Sequence, residues 1–273
     1  MAKENPLASN LTLEQQKNLF GNAYLNMLWH CPTDQRFPYW VHLPDCYYDE
    51  KDPHYKLLVI IHGTGCAVED YVRHAKELAD RDHVAVLAPL FPGGLIQRDD
   101  FNSYKLLSCD GVRYDQILLD MIDDMAKRYP GVETDKFFLF GHSGGGQFVN
   151  RFLFAHPEKL RACAIGAPGR PTFLNPDEDY FWGTRDFKNY FGHDVDLAAV
   201  QKVPVLVIVG ENDTKFIGDS PYGDNRVARM KSLQKNLQDH GVHTELTILP
   251  GFAHEGGEKE RVQAVQHFFE AYL

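Results

Sequence analysis

The sequence has little that would suit a polyanion or a bilayer as a partner. Its 28 Lys and Arg are outnumbered by 38 Asp and Glu, for a formal net charge of −10. Nucleic acid and anionic membrane surfaces are therefore disfavoured, and a small neutral substrate fits better. No apolar run approaches the ~20 residues that span a bilayer. The opening residues, MAKENPLASNLTLEQQ, lack the basic start and apolar stretch of a secretory signal, so a cytoplasmic protein is expected. Five cysteines, Cys31, Cys46, Cys66, Cys109 and Cys163, are scattered without CxxC spacing. An odd number cannot all pair within one chain, and reduced thiols are expected in that compartment. Internal repeats and low-complexity tracts are missing too. So are the Gly-Lys-Ser/Thr phosphate loop and GxGxxG, and HEGGE at 254–258 lacks the HExxH spacing that sets two histidines on one helical face. Neither a cofactor nor a metal is called for. The sequence allows a homodimer without requiring one.

What is there is ordinary globular composition, with 44% hydrophobic and 24% charged residues in 273. Apolar runs rich in β-branched and aromatic residues alternate with amphipathic stretches, which predicts an α/β fold with a largely parallel twisted sheet and helices on both faces. Strands are expected at Phe37–Leu43, Leu57–Ile61, Val84–Ala88, Phe137–Phe140, Ala162–Ile165, Val203–Val209 and Glu245–Leu249. Helices are expected at Glu69–Asp80, Val112–Tyr129, Gly145–Ala155, Asn225–His240 and Glu258–Tyr272. Leu13–Trp29 also reads as helical, within an N-terminal extension over residues 1–36 that precedes the main domain at 37–273. One segment, about 167–200, loses helical periodicity to Pro, Asp and aromatics. An irregular stretch that long inside a compact domain is usually functional, and it is expected to form a small cap over the strand ends.

The strongest chemical signal is FFLFGHSGGG at 137–146, where an apolar strand runs into Gly-x-Ser-x-Gly and then a helical pattern. GxSxG alone is weak, but between a strand and a helix it describes a sharp turn that exposes a nucleophilic serine, here Ser143, beside a helix N-terminus. Two further strand ends supply its partners. VPVLVIVG leads into Glu211-Asn212-Asp213, and TELTILPG leads into Phe252-Ala253-His254. Asp213 suits a short side chain orienting an imidazole, with Glu211 as the alternative carboxylate, and His254 is the candidate general base. The order serine, acid, histidine is the one this topology delivers to one sheet edge. His142, next to the nucleophile, points elsewhere on such a turn and is expected to be structural. LLVIIHGTG at 57–65 offers backbone donors for an oxyanion: the N–H of Thr64 with that of Gly144, and Gly65 as the rival to Thr64.

From about Phe37 onward the chain resembles the serine-nucleophile branch of the α/β-hydrolase superfamily. The carrying motifs are HGTG at 62–65, GHSGG at 141–145, GEND at 210–213 and GFAH at 251–254. The early strand FPYWVHLPD, ahead of LLVIIHG, is further similar to the esterase-D, polyhydroxybutyrate-depolymerase and dienelactone-hydrolase-like group. The resemblance implies an α/β-hydrolase fold and hydrolysis of a carboxylic ester or lactone through an acyl-enzyme. Serine stands where dienelactone hydrolases carry cysteine, and the first 36 residues match no motif of the group. Phe173, Tyr180, Phe181 and Trp182 in the irregular segment, with Phe216 and Tyr222 after Asp213, either line an apolar pocket for a hydrophobic or aromatic substrate or anchor the cap. Amide or carbon–carbon hydrolysis by the same three residues, and a non-catalytic small-ligand receptor on the same fold, are the competing readings.

Overall fold

Strands whose every residue is apolar need cover on both faces, and the computed structural model, which describes residues 11–49 and 53–273, provides it. Eight strands form one sheet: β1 (Asn26–His30), β2 (Pro38–His42), β3 (Tyr55–Ile61), β4 (Val84–Pro89), β7 (Val132–His142), β8 (Leu160–Gly166), β9 (Val205–Gly210) and β10 (Thr244–Leu249). Their order is β1-β2-β4-β3-β7-β8-β9-β10, antiparallel at β1/β2 and β2/β4 and parallel at every other pairing. A separate ribbon pairs β5 (Ser108–Cys109) with β6 (Val112–Arg113). The main helices are α1 (Leu13–Phe20), α2 (Val68–Asp82), α3 (Tyr114–Arg128), α4 (Gly144–Ala155), α7 (Arg226–Asp239) and α8 (Glu258–Glu270).

Period-two alternation assigns each strand residue to one of two cores. On β3, Leu57, Val59 and Ile61 join the larger cluster, with α3 and α4 residues such as Met121 and Phe148. Leu58 and Ile60 join the smaller one, with Ala75 and Ala79 of α2 and Val265 and Phe269 of α8. Because β3, β7, β8, β9 and β10 run parallel, their C-terminal ends share one edge, and the loops leaving that edge carry the candidate site.

Two elements differ from expectation. The helical pattern over Leu13–Trp29 ends at Phe20; a 3-10 turn, Gly21–Leu25, follows, and Asn26–His30 forms β1 at the sheet edge. Tyr24 and Leu25 are buried in the main core. The helix expected from Val112 starts at Tyr114, because Val112 and Arg113 pair with the strand before them. The segment 167–200 is irregular apart from two short helices, α5 (Phe187–Phe191) and α6 (Leu197–Val200). No helix among the described residues is long and apolar enough to cross a membrane.

Candidate active site

At the end of β7 the chain turns so tightly that two glycines are packed against backbone. A Cβ on Gly145 would stand 2.1 Å from the carbonyl oxygen of Ile61, and one on Gly141 would stand 2.5 Å from Gly145 itself. Between them Ser143 takes φ +57° and ψ −113°, a conformation that L residues rarely adopt and that its surroundings must hold. Its N–H donates to Gly166 O at 2.8 Å, and its carbonyl accepts from Gln147 N at 3.1 Å, the first turn of α4.

The turn after β9 buries Asp213, which is 1% exposed. His254, in the turn after β10, donates from Nδ1 to Asp213 Oδ2 at 2.7 Å. A carboxylate only accepts, so the proton lies on Nδ1 and leaves Nε2, 2.9 Å from Ser143 Oγ, free to accept the hydroxyl proton. The two turns are tied together, since Asn212 N donates to Phe252 O at 2.8 Å. Glu211, the alternative carboxylate, accepts instead from Gly251 N at 2.8 Å and so shapes the turn. The second oxygen of Asp213 meets Arg226 Nη1 at 3.4 Å.

The loop after β3 is braced by His62. Its Nε2 accepts from Phe91 N at 2.9 Å and its Nδ1 donates to Gly63 O at 2.7 Å, while burial pushes its pKa down to about 4. A Cβ built on Gly144 would overlap the Tyr104 hydroxyl and lie 3.2 Å from the Thr64 nitrogen, so the start of α4 packs closely against the loop after β3. Around Gly65 there is open space, with no atom within 4 Å of a Cβ built there.

The sequence profile of the dienelactone hydrolase family matches residues 44–267. The chain belongs to the dienelactone hydrolase family. As a member it is a hydrolase acting on ester bonds. Among solved structures it is similar to LpqC, a poly(3-hydroxybutyrate) depolymerase from Bordetella parapertussis, at 19% identity and TM-score 0.73 over 96% of both chains. It is also similar to poly(aspartic acid) hydrolase-1 from Sphingomonas sp. KT-1, at 19% and 0.70 over 89% of this chain and 96% of that one. A third likeness is an S-formylglutathione hydrolase from Agrobacterium tumefaciens, at 15% and 0.58 over 90% and 93%. At such identities these likenesses establish the α/β-hydrolase fold. No curated protein sequence matches the chain.

In this dienelactone hydrolase family member a cavity of about 470 Å³ opens beside α4, walled by Leu106, Phe181 and Ile217 and by Lys105, Arg170 and Arg229. Sequence reasoning missed the cations. Lys105 Nζ donates to Thr64 Oγ1 at 2.8 Å and Asn102 Oδ1 at 2.7 Å. Burial, reinforced by Arg151, brings its pKa down to about 8. Arg229 donates to the carbonyls of Gly223, Gly169 and Gly218. Arg151, fully buried beneath the cavity floor, donates to the carbonyls of Lys105 and Arg170. Among the described residues none of these three meets a carboxylate within ion-pair distance.

Of the aromatics expected at a pocket, only Phe181 lines this cavity. Phe173 is fully buried and stacks on Tyr222 with ring centroids 3.5 Å apart. Trp182 also stacks on this tyrosine, with ring centroids 6.0 Å apart, and Tyr180 donates to Leu106 O at 2.6 Å while packing on Phe187 and Phe191. Phe216 is 61% exposed. The anchoring role therefore describes Phe173, Tyr180, Trp182 and Tyr222, because wide rings bury more area by packing on one another than by facing a solvated cavity.

Proposed function

We propose that the protein is a serine esterase or lactonase that works through an acyl-enzyme. Ser143 Oγ attacks the carbonyl carbon while His254 Nε2 takes its proton, Asp213 stabilises the resulting imidazolium, and the N–H groups of Thr64 and Gly144 receive the oxyanion. His254 then protonates the leaving alcohol, and water, deprotonated by the same imidazole, releases the acid. The observation that carries this reading is the continuous hydrogen-bonded line from Asp213 Oδ2 through His254 to Ser143 Oγ. Treatment with a fluorophosphonate and peptide mass spectrometry tests it. A stoichiometric adduct on Ser143 that is absent from Ser143→Ala is the expected result, and folded wild-type protein that takes no label would refute it.

The cavity supports an acyl group that is part apolar and part anionic, in place of the neutral substrate expected from net charge and the hydrophobic or aromatic one expected from the aromatics. Lys105, Arg170 and Arg229 concentrate positive charge there in a chain of net charge −10. Monoethyl succinate should be hydrolysed with kcat/KM about tenfold above that of ethyl butyrate, and Arg170→Ala should narrow that ratio through KM. Equal rates for the two esters would remove the anionic preference and leave the serine mechanism standing.

A further inference from the structure

The loop between β4 and α3 places a lysine against the candidate oxyanion donors. Lys105 is 6% exposed. A Cβ built on Gly144 would overlap the Tyr104 hydroxyl and lie 2.7 Å from Lys105 Cε and 3.2 Å from the Thr64 nitrogen, so the end of the lysine packs directly on Gly144 where Thr64 also approaches. Its ammonium donates to two neutral oxygens, Thr64 Oγ1 and Asn102 Oδ1, which leaves one of three N–H bonds unassigned. Arg151 Nη1 donates to the carbonyl of Lys105 at 2.5 Å, fixing the backbone from below, and the Tyr104 ring centroid lies 5.8 Å from Nζ.

The charges facing this ammonium do not neutralise it. Arg151 of α4 and Arg226 of α7 are cationic, and His62 at the end of β3 is held neutral by burial. The acidic groups are the Cys66 thiol and Asp100, whose carboxylate already accepts from Ser103 Oγ and from the N–H groups of Asn102 and Ser103. A buried, unneutralised ammonium is unfavourable in the resting protein, and the same low dielectric makes it effective toward any negative charge that forms beside it.

We propose that Lys105 supplies a fixed positive charge to the acyl oxygen as negative charge develops there, acting together with the Thr64 and Gly144 N–H groups. The proposal rests on Ser143 being the nucleophile. As Oγ bonds to the carbonyl carbon, the π pair moves onto oxygen and the serine proton passes to His254 Nε2. When the pair returns, the leaving oxygen departs with that proton. Lys105 neither gives nor takes a proton, so its contribution lasts only while it is charged. With burial holding its pKa near 8, that charge is present at neutral pH and is lost as pH rises through about 8.

The experiment uses p-nitrophenyl butyrate, a neutral ester whose acyl chain offers no anion for ground-state attraction. The wild type should show an alkaline decline in kcat near pH 8. Lys105→Met should lower kcat at neutral pH by about 10- to 100-fold, with KM changed less than about threefold. Lys105→Arg should retain most of the rate and carry the decline above about pH 10, because a guanidinium stays charged there. An unchanged kcat in Lys105→Met overturns the proposal. So does an alkaline decline that stays in place in Lys105→Arg, which decides the matter even where Lys105→Met does not fold. Fluorophosphonate labelling separates the two levels: labelled wild type with an unmoved decline sinks the role of Lys105 alone, whereas unlabelled wild type sinks the nucleophile assignment and this role with it.

Discussion

The Nε2 of His142 lies 2.9 Å from the backbone carbonyl oxygen of His254, so the residue beside the candidate nucleophile fixes the backbone of the candidate base. A carbonyl only accepts, so Nε2 carries the proton, and Nδ1 is left buried without a partner. Burial, then repulsion from Arg261 and His254, keeps the His142 pKa well below the ordinary histidine range, so the ring is neutral in the working pH range. Its role is to position, not to titrate. His142→Ala should lower kcat by about tenfold with little change in KM, the worth of one buried hydrogen bond. His142→Gln, which keeps an N–H donor, should recover much of the loss. Equal activity in wild type and His142→Ala would show that the His254 turn needs no such support.

Asp213 and Glu211 make a matched pair for testing the acid. Asp213→Asn removes the charge that stabilises an imidazolium and invites the wrong histidine tautomer, so kcat should fall by about 10³- to 10⁴-fold with the protein still folded. Glu211→Gln keeps an oxygen able to accept from Gly251 N and should stay within about threefold of wild type. Steady-state kinetics with a single ester checks both, and a reversed ranking would move the acid to Glu211.

Ser143, Asp213 and His254 were legible in the sequence because each lies in a turn just after a strand pattern, apolar in FFLF and VLVIV before the first two and interrupted by Thr and Glu in TELTIL before His254, and parallel strands bring such turns to one edge. The cations were not legible. Arg151 lies in VNRFLFA on α4, where periodicity offers a charged residue to solvent; it is buried only because the chain near Thr172 and Phe181 closes over it. Lys105 sits in SYKLLS, and nothing local reports that Gly144 will pack on its stem. β1, with sequence NMLWH, contains no β-branched residue and is half-exposed along its length, so only its pairing with β2 marks it as a strand. The aromatics of 173–182 were correctly seen as concentrated, but composition could not say whether rings face a cavity or one another.

Acid should destabilise the fold through its buried histidines. His62 is held at a pKa of about 4 against an ordinary 6.5, and His142 is also depressed. An unfolded chain takes up these protons from pH 6.5 downward while the native one refuses them. Stability is therefore full above about 6.5, declines as pH falls toward 4, and loses about 3 kcal/mol through His62 alone. Asp115, held down to about 2 by His156 and Arg113 against the upward push of burial, adds its own loss only below the ordinary carboxylate range. Thermal melts from pH 8 to pH 4 should show Tm falling mainly below about 6.5. A Tm that is flat down to pH 4.5 would mean that these rings find compensating partners when protonated.

Gly146 is the third glycine after the nucleophile and a poor helix former in the first turn of α4. A Cβ on it would stand 2.2 Å from the carbonyl oxygen of Gly166, on the backbone at the end of β8. That oxygen is also the acceptor for the Ser143 N–H at 2.8 Å. Gly146→Ala must therefore push α4 away from β8, and it disturbs the atom that holds the nucleophile in its unusual backbone conformation. Overpacking of this kind costs about 1–3 kcal/mol, which for a chain of this size lowers Tm by about 2–4 °C per kcal/mol. The rate of fluorophosphonate labelling at Ser143 should drop by more than the fraction of protein that remains folded explains. An alanine variant with wild-type Tm and wild-type labelling would show that the β8 end yields freely, and the closeness of Gly146 to Gly166 would then have no part in holding Ser143.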